Sequence, residues 1–317
     1  MAFVLRPFIE EYSEAVLAIA HAAIPYDPEG NQRWLRERKQ IDEQLFRRRH
    51  YVVVDTDTHD IVGYGAIEQQ GSDPPQRLRL YLIVLPGYLR SGVGRALYGR
   101  LMSDVETLKV SSLWMQEYQQ DTELLGFVQE RGFVQTSLIR ELRLTLAKAN
   151  ITQMVSIVDR VAARGIIISS LEEERLRSRN IARRLHDLYN AVLDDVYTPL
   201  TFQDFVQRLD RPRIMPQGFF IARKDDRLIG LSALAYIEGD PEQALQHWTG
   251  VLPDFRRQGI ATALRLCTID AALRLGYKTL TTFTNHSEPI TLALNEKLGF
   301  HRLFAYVILE KTVQNQS

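Results

Sequence analysis

One cysteine, Cys267, stands in 317 residues, so no intrachain disulfide can form and the composition suits a reducing compartment. Cys267 falls on the apolar face of a helical pattern, a core position rather than a nucleophile's. Neither sign of charge is in excess, with 39 Lys+Arg against 39 Asp+Glu. That removes the global field expected of a partner for nucleic acid or anionic membrane. No run approaches the roughly 20 apolar residues of a membrane span. The apolar stretch 16–24 does not read as a leader either, because Glu10, Glu11 and Glu14 precede it where basic residues belong. An amphipathic helix in a cytoplasmic protein is expected instead. Clusters of Cys and His with metal-ligand spacing are missing, as is a Gly-x-Ser-x-Gly elbow, so no metal is expected and no hydrolase triad.

What is present begins with length. The chain is long enough for two domains of ordinary size, and 45% hydrophobic with 25% charged residues is an ordinary globular balance. The most informative stretch is Val251-Leu-Pro-Asp-Phe-Arg-Arg-Gln-Gly-Ile-Ala-Thr-Ala-Leu264. A strand over 246–252 feeds a basic turn over 253–259 and a helix over 260–276. Ile260, Leu264, Cys267, Ala271 and Leu275 keep one face of that helix buried. Arg256, Arg257, Gly259 and Ala261 therefore sit at a helix N-terminus, where unpaired amides and the helix dipole favour an anion. Gly259 and Ala261 let a phosphate approach the backbone. This is a pyrophosphate cradle, but no Gly-Lys-Ser/Thr follows it and the three-glycine dinucleotide pattern is absent.

Downstream, a strand over 278–285, a helix over 288–298 with Pro289 in its first turn and Gly299 past its end, and a strand over 303–309 complete the second half. Arg-x-x-Gly-x-Ala after a Val-x-Pro strand, followed by Asn285 and Asn295-Glu-Lys-Leu-Gly-Phe300, resembles the GNAT superfamily of N-acyltransferases. The resemblance implies a mixed, twisted α/β sheet whose strands splay to admit the pantetheine arm of acetyl-CoA. It implies cofactor contacts at Val251, Arg256, Arg257, Gln258, Gly259, Ile260, Ala261, Thr262 and Asn285. It also implies transfer of an acetyl group to a primary amine of a small molecule or peptide.

The motif occurs twice. Val84-Leu-Pro-Gly-Tyr-Leu-Arg-Ser-Gly-Val-Gly-Arg-Ala-Leu97 lies about half the chain earlier, a spacing for a duplicated domain rather than a solenoid. Its surroundings match: a strand over 76–85, then a strand over 112–116, a helix over 121–131 and a closing strand over 141–146, with Arg131-Gly-Phe echoing Leu298-Gly-Phe. Two tandem GNAT-like domains are expected, over 1–148 and 149–317, with further strands at 3–8, 51–55, 61–69, 166–171, 219–222 and 228–237. Further helices are expected at 11–23, 31–49, 151–164, 178–196 and 201–209. By the resemblance, Val84, Arg90, Ser91, Gly92, Val93 and Gly94 form the first cradle. Leu89 replaces Arg256 there. The family's tyrosine acid corresponds to Val128 and Asn295, neither of which delivers a proton. The first domain is therefore expected to be degenerate or accessory and the second catalytic.

For the second domain the expected catalytic residues are His247 and Asn295. A period of two puts His247, Thr249 and Val251 on one strand face, and a neutral imidazole would take the proton of the incoming ammonium. Asn295 and Asn285 match family positions that contact cofactor or bridge the strand ends. By the resemblance, Tyr189, Asp194, Asp195 and Tyr197 lie on the helix and loop that wall the acceptor site and would favour a cationic amine, while Glu238, at a hairpin end, is a separate candidate to bind an ammonium. Monomer and homodimer are both compatible with the sequence. Two other function classes stay open at this level: an acyl-CoA sensor that consumes nothing, and a scaffold whose loops bind no nucleotide.

Overall fold

The computed structural model describes residues 2–27, 48–69, 76–149, 154–192, 199–209, 214–237, 239–285 and 288–313. The chain divides into two compact units, Met1–Leu138 with Tyr306–Ser317, and Ile139–Ala305.

In the first unit β1 (Phe3–Pro7), β2 (Arg49–Asp55), β3 (Ile61–Glu68) and β4 (Arg77–Val84) pair antiparallel in order. Next, β4 pairs parallel with β5 (Ser112–Tyr118). The sheet closes on Tyr306–Thr312 of β12 (His301–Thr312), antiparallel to β5. Alternation along β2 sends Val52 and Val54 to the face covered by α1 (Ser13–Ala23), where they meet Val16 and Tyr64. Tyr51 and Val53 face the other way. There α2 (Val93–Thr107) and α3 (Thr122–Gln129) bury Leu97, Leu101 and Val128 against Leu80, Leu113 and Met115.

The second unit repeats this order. Here β7 (Ile166–Ser170), β8 (Ile214–Lys224), β9 (Arg227–Ile237) and β10 (Asp240–Val251) are antiparallel, and β10 is parallel to β11 (Thr279–Asn285). Ile139–Thr145 of β6 (Val134–Thr145) pair antiparallel with β11. On one face, α4 (Met154–Ala162) packs against α8 (Ile260–Arg274). The other face carries α6 (Ile181–Val192) and α7 (Phe202–Leu209), whose Tyr189 and Phe205 stack around Trp248. A short helix, α9 (Pro289–Lys297), follows β11. In both units a strand glycine lets the loop-bearing helix seat. A Cβ on Gly63 would lie 2.6 Å from Val93, and one on Gly230 3.1 Å from Leu264.

The sequence expectations need correction at three places. The strands over 141–146 and 303–309 were each expected to close their own copy, yet β6 completes the unit of β11 and β12 the unit of β5. The helix expected over 178–196 is α6, and a separate α5 (Leu171–Arg177) precedes it, started by a capping box between Ser170 and Glu173. The strands over 219–222 and 246–252 extend to Ile214–Lys224 and Asp240–Val251. Most of the helix expected over 31–49 lies outside the described residues, as do Asp194, Asp195, Tyr197 and Glu238.

The exchange of closing strands makes a C-terminal residue part of the N-terminal core. Leu309 is fully buried among residues of β4, β5 and α2. Leu309→Ala should cost about 2–5 kcal/mol. Hydrogen exchange should then accelerate across β4 and β5, with β11 little affected; acceleration confined to β11 would contradict the pairing.

Candidate active site

Both units build the same gap. The parallel pairing of β4 with β5 covers Arg77–Ser112, Leu78–Leu113 and Arg79–Trp114, and stops. That of β10 with β11 covers Gln243–Thr279, Ala244–Leu280 and Leu245–Thr281, and stops. Beyond these points the strands part, and each leading strand turns into its helix. Leu85 N–H donates to Val62 O at 2.9 Å, and Leu252 N–H to Ile229 O at 2.9 Å. A 3₁₀ turn follows in each copy, over Pro86–Tyr88 and Pro253–Phe255.

Next the backbone reverses handedness. Arg90 and Arg257 both have φ 60°, and Gly92 and Gly259 have φ 99° and 84°. Each glycine is the N-cap of its helix, taking the first intrahelical bond on its carbonyl, from Ala96 N–H or Ala263 N–H at 2.9 Å. A glycine has no side chain with which to cap. The amides of Val93, Gly94 and Arg95, and of Ile260, Ala261 and Thr262, are therefore left at an open helix N-terminus. Left-handed residues beside such amides form an anion-binding nest. The expected cradle residues thus come together in both copies, with Val84 and Val251 ending the strands that lead in. Arg256 is exposed, and its Nε–H bonds Val251 O at 3.1 Å, while Ser91 donates to Tyr88 O at 2.6 Å. Arg164 adds a cation to the second loop by donating to Gln258 O at 3.3 Å. Asn285 ends β11, and its carbonyl accepts from Glu288 N–H at 3.0 Å.

In the first unit the cradle opens into a cleft of about 1040 Å³. Arg90, Gly92, Gly94 and Arg95 line it beside the loop, and Glu117, Tyr118, Asp121 and Tyr306 line it where the strands have parted. Burial pushes the Glu117 carboxyl up to about 8, with Asp121 adding to the shift and the Arg79 guanidinium opposing it. Arg79 itself is held over the rings of Tyr81 at 4.4 Å and Trp114 at 4.9 Å. Sequence reasoning missed Glu117. Its only local signal is a carboxylate near the end of a parallel strand, where ligands of open α/β sheets collect.

The second unit fills the equivalent space differently. Thr284 stands where the first unit has Glu117, Asn295 where it has Val128, Arg265 where it has Tyr98 and Thr249 where it has Leu82. These four form one chain of hydrogen bonds. Arg265 Nε–H donates to Thr249 Oγ1 at 3.0 Å, an Arg265 Nη1–H donates to Asn295 Oδ1, and Asn295 Nδ2–H donates to Thr284 Oγ1 at 3.0 Å. Burial lowers the Arg265 guanidinium to about 10, against the pull of Glu288. Asn295 is fully buried, so it faces this network rather than solvent.

His247 is exposed and stacks on Trp248 with centroids 4.9 Å apart. A β-bulge interrupts β10 between Gln246 and Trp248, so the period of two that would set His247 beside Thr249 does not carry across it. His247 is the extra residue, and β4 has no such shift against β3. After the bulge Trp248 points to α6 and α7, and Thr249 to α8. Burial raises the Cys267 thiol to about 11, which removes it as a nucleophile at neutral pH.

The model of the acetyltransferase (GNAT) family matches residues 16–133 and 179–300. The chain belongs to that family. A mycothiol acetyltransferase of Geodermatophilus obscurus is 26% identical over 247 residues, covering 76% of each chain. Two solved structures share the tandem fold. A GCN5-related N-acetyltransferase from Sphaerobacter thermophilus has a TM-score of 0.75 at 17% identity, covering 98% of this chain and 95% of that one. A tandem GNAT protein from the clavulanic acid biosynthesis pathway has a TM-score of 0.69 at 17% identity, covering 100% of both. As a member of the family the protein is an acyl-CoA-dependent N-acyltransferase with two GNAT domains. No helix among the described residues is long and apolar enough to cross a membrane, and no metal-holding cluster occurs among them.

Two measurements test this geometry. Asn295→Ala strands Arg265 and Thr284 and should cost about 1–3 kcal/mol, read as a lower Tm of the second unit; an unchanged Tm would remove the network. An unfolded glutamate ionises near 4.5, whereas folded Glu117 does so near 8. Its contribution to stability is therefore present at acid pH and lost as pH rises through about 8. From about pH 5 to 8.5, Glu117→Gln should lose less Tm than the native protein. Parallel curves would place Glu117 in water.

Proposed function

We propose that this protein transfers an acetyl group from acetyl-CoA to the primary amine of a small molecule, and that the cleft of the first unit carries the transfer. The observation that supports this is the single cleft running from the anion cradle at Arg90–Gly94 to Glu117 beside the parted strands. The basic, amide-lined end suits the phosphates of acetyl-CoA. The gap between β4 and β5 suits its extended pantetheine arm. Glu117 suits the proton traffic. In the transfer the neutral amine attacks the thioester carbonyl, the carbon–sulfur bond breaks, and the thiolate leaves. Near neutral pH the Glu117 carboxyl is mostly protonated, so it gives its proton to the departing sulfur and then accepts the proton shed by the new amide nitrogen.

A second reading seats the transfer in the second unit. It is supported by the bulge at His247, which lies just past the point where β10 and β11 part, since bulges gather beside active sites. One pair of variants separates the readings. A β-branched side chain at φ 99° or 84° both strains the loop and crowds the nest. Gly92→Val should weaken acetyl-CoA binding and turnover tenfold or more, about 1.4 kcal/mol, and Gly259→Val should have a smaller effect on turnover. The reverse ranking moves the chemistry to the second unit. Glu117→Gln should keep acetyl-CoA affinity, measured by calorimetry, while the rate falls on the order of 10²-fold.

A further inference from the structure

Three tyrosines meet in the wall of the cleft. Tyr118 and Tyr306 have ring centroids 4.8 Å apart at 49°, and Tyr26 stands edge-on to Tyr118 at 5.1 Å and 82°. All three line the cleft. The Tyr118 hydroxyl donates to the buried Asp27 carboxylate, which leaves its ring richer in π density. Burial first, then the charges of Asp121, Glu117 and Asp27, raise the Tyr26 hydroxyl above its ordinary value, against a hydrogen bond from Gln120. Its oxygen therefore lies near the carboxylates of Asp121 and Asp27, which supply the negative potential near neutral pH while Glu117 holds its proton. Ring faces set at steep angles under a negative potential are the arrangement that holds an organic cation.

Such a cage cannot hold the nitrogen that is acetylated. A site that favours a cation raises the pKa of its guest and keeps the lone pair protonated, whereas acyl transfer needs that lone pair free. The caged nitrogen and the reacting nitrogen are different atoms. Resting on the reading that the first unit carries the transfer, we infer that the acceptor is a primary amine bearing a second, distal organic cation, such as a small diamine. Tyr26, Tyr118 and Tyr306 hold the distal cation, and the free amine reaches the thioester near Glu117.

The test compares three acceptors of equal chain length: a plain alkylamine, the corresponding diamine, and the amine carrying a terminal trimethylammonium group. Both cationic acceptors should exceed the plain amine in kcat/KM by roughly tenfold or more, mainly through KM. Tyr118→Leu should bring the ratio close to one, and Tyr118→Phe, which keeps the ring and loses the bond to Asp27, should retain part of it. Tyr26 is 37% exposed, so Tyr26→Leu provides a variant whose folding is not at stake and should lower the same ratio. Equal use of the three acceptors would overturn the inference, as would a preference that survives both leucine variants. Failure of the underlying reading looks different: activity would then persist in Gly92→Val with every acceptor.

Discussion

A single reversal of backbone handedness underlies both units. Within a few residues the chain must leave a parallel strand, turn, and start a helix whose first amides face outward. Arginines at φ 60° are the means, in the first loop and again in the second. A side chain in the left-handed region costs on the order of 1–3 kcal/mol, and the surrounding bonds offset it. Tyr88 N–H bonds Leu85 O at 2.8 Å, and Phe255 N–H bonds Leu252 O at 2.9 Å. The bare strand glycines behind each helix, Gly63 and Gly230, hold its N-terminus close to the sheet. With the helix fixed there, the parted strands open onto the nest and nowhere else is the geometry repeated among the described residues.

That loop was legible in the sequence because its causes are local: a strand ending in Val-x-Pro, a glycine where the backbone takes a positive φ, and apolar residues at helical spacing. The pairing of closing strands was not legible. Residues 141–146 alternate and 303–309 run apolar throughout, but both follow a Gly-Phe pair and neither pattern names a partner strand, so either could close either unit. The period through His247 was not legible for a related reason: one inserted residue in β10 shifts it, and nothing in the side chains announces the bulge. Glu117 escaped notice because its burial, and the approach of Arg79 from β4, exist only in the folded chain. The sequence reading judged the first copy by what it lacked, the arginine at Leu89 and the tyrosine at Val128.

Side by side, the copies have diverged as a set rather than residue by residue. In the first unit Tyr98 stands edge-on to Phe127 at 6.0 Å and its hydroxyl accepts from Lys311 at 2.9 Å. In the second unit the same position is supplied by Thr249 and Asn295, and Asn295 is in turn satisfied by Thr284. Half-built, such a network is worse than an apolar core. The four positions are therefore interdependent in each copy, and a graft of one residue between copies carries the cost of the missing three.

The crossing of β6 and β12 between units has a consequence for how the chain comes into being. During synthesis β5 emerges before the second unit, but the strand that pairs with it, Tyr306–Thr312, emerges only after that unit. Until then β5 presents an unpaired edge, and Leu113 and Met115 lack the cover of Val307 and Leu309. The second unit has its borrowed strand in hand from the moment it starts to form, because β6 precedes it. Folding on the ribosome should therefore run against the usual N-terminal-first order. The later unit completes first, and the earlier one waits as an open sheet edge that chaperones must shield from other nascent chains.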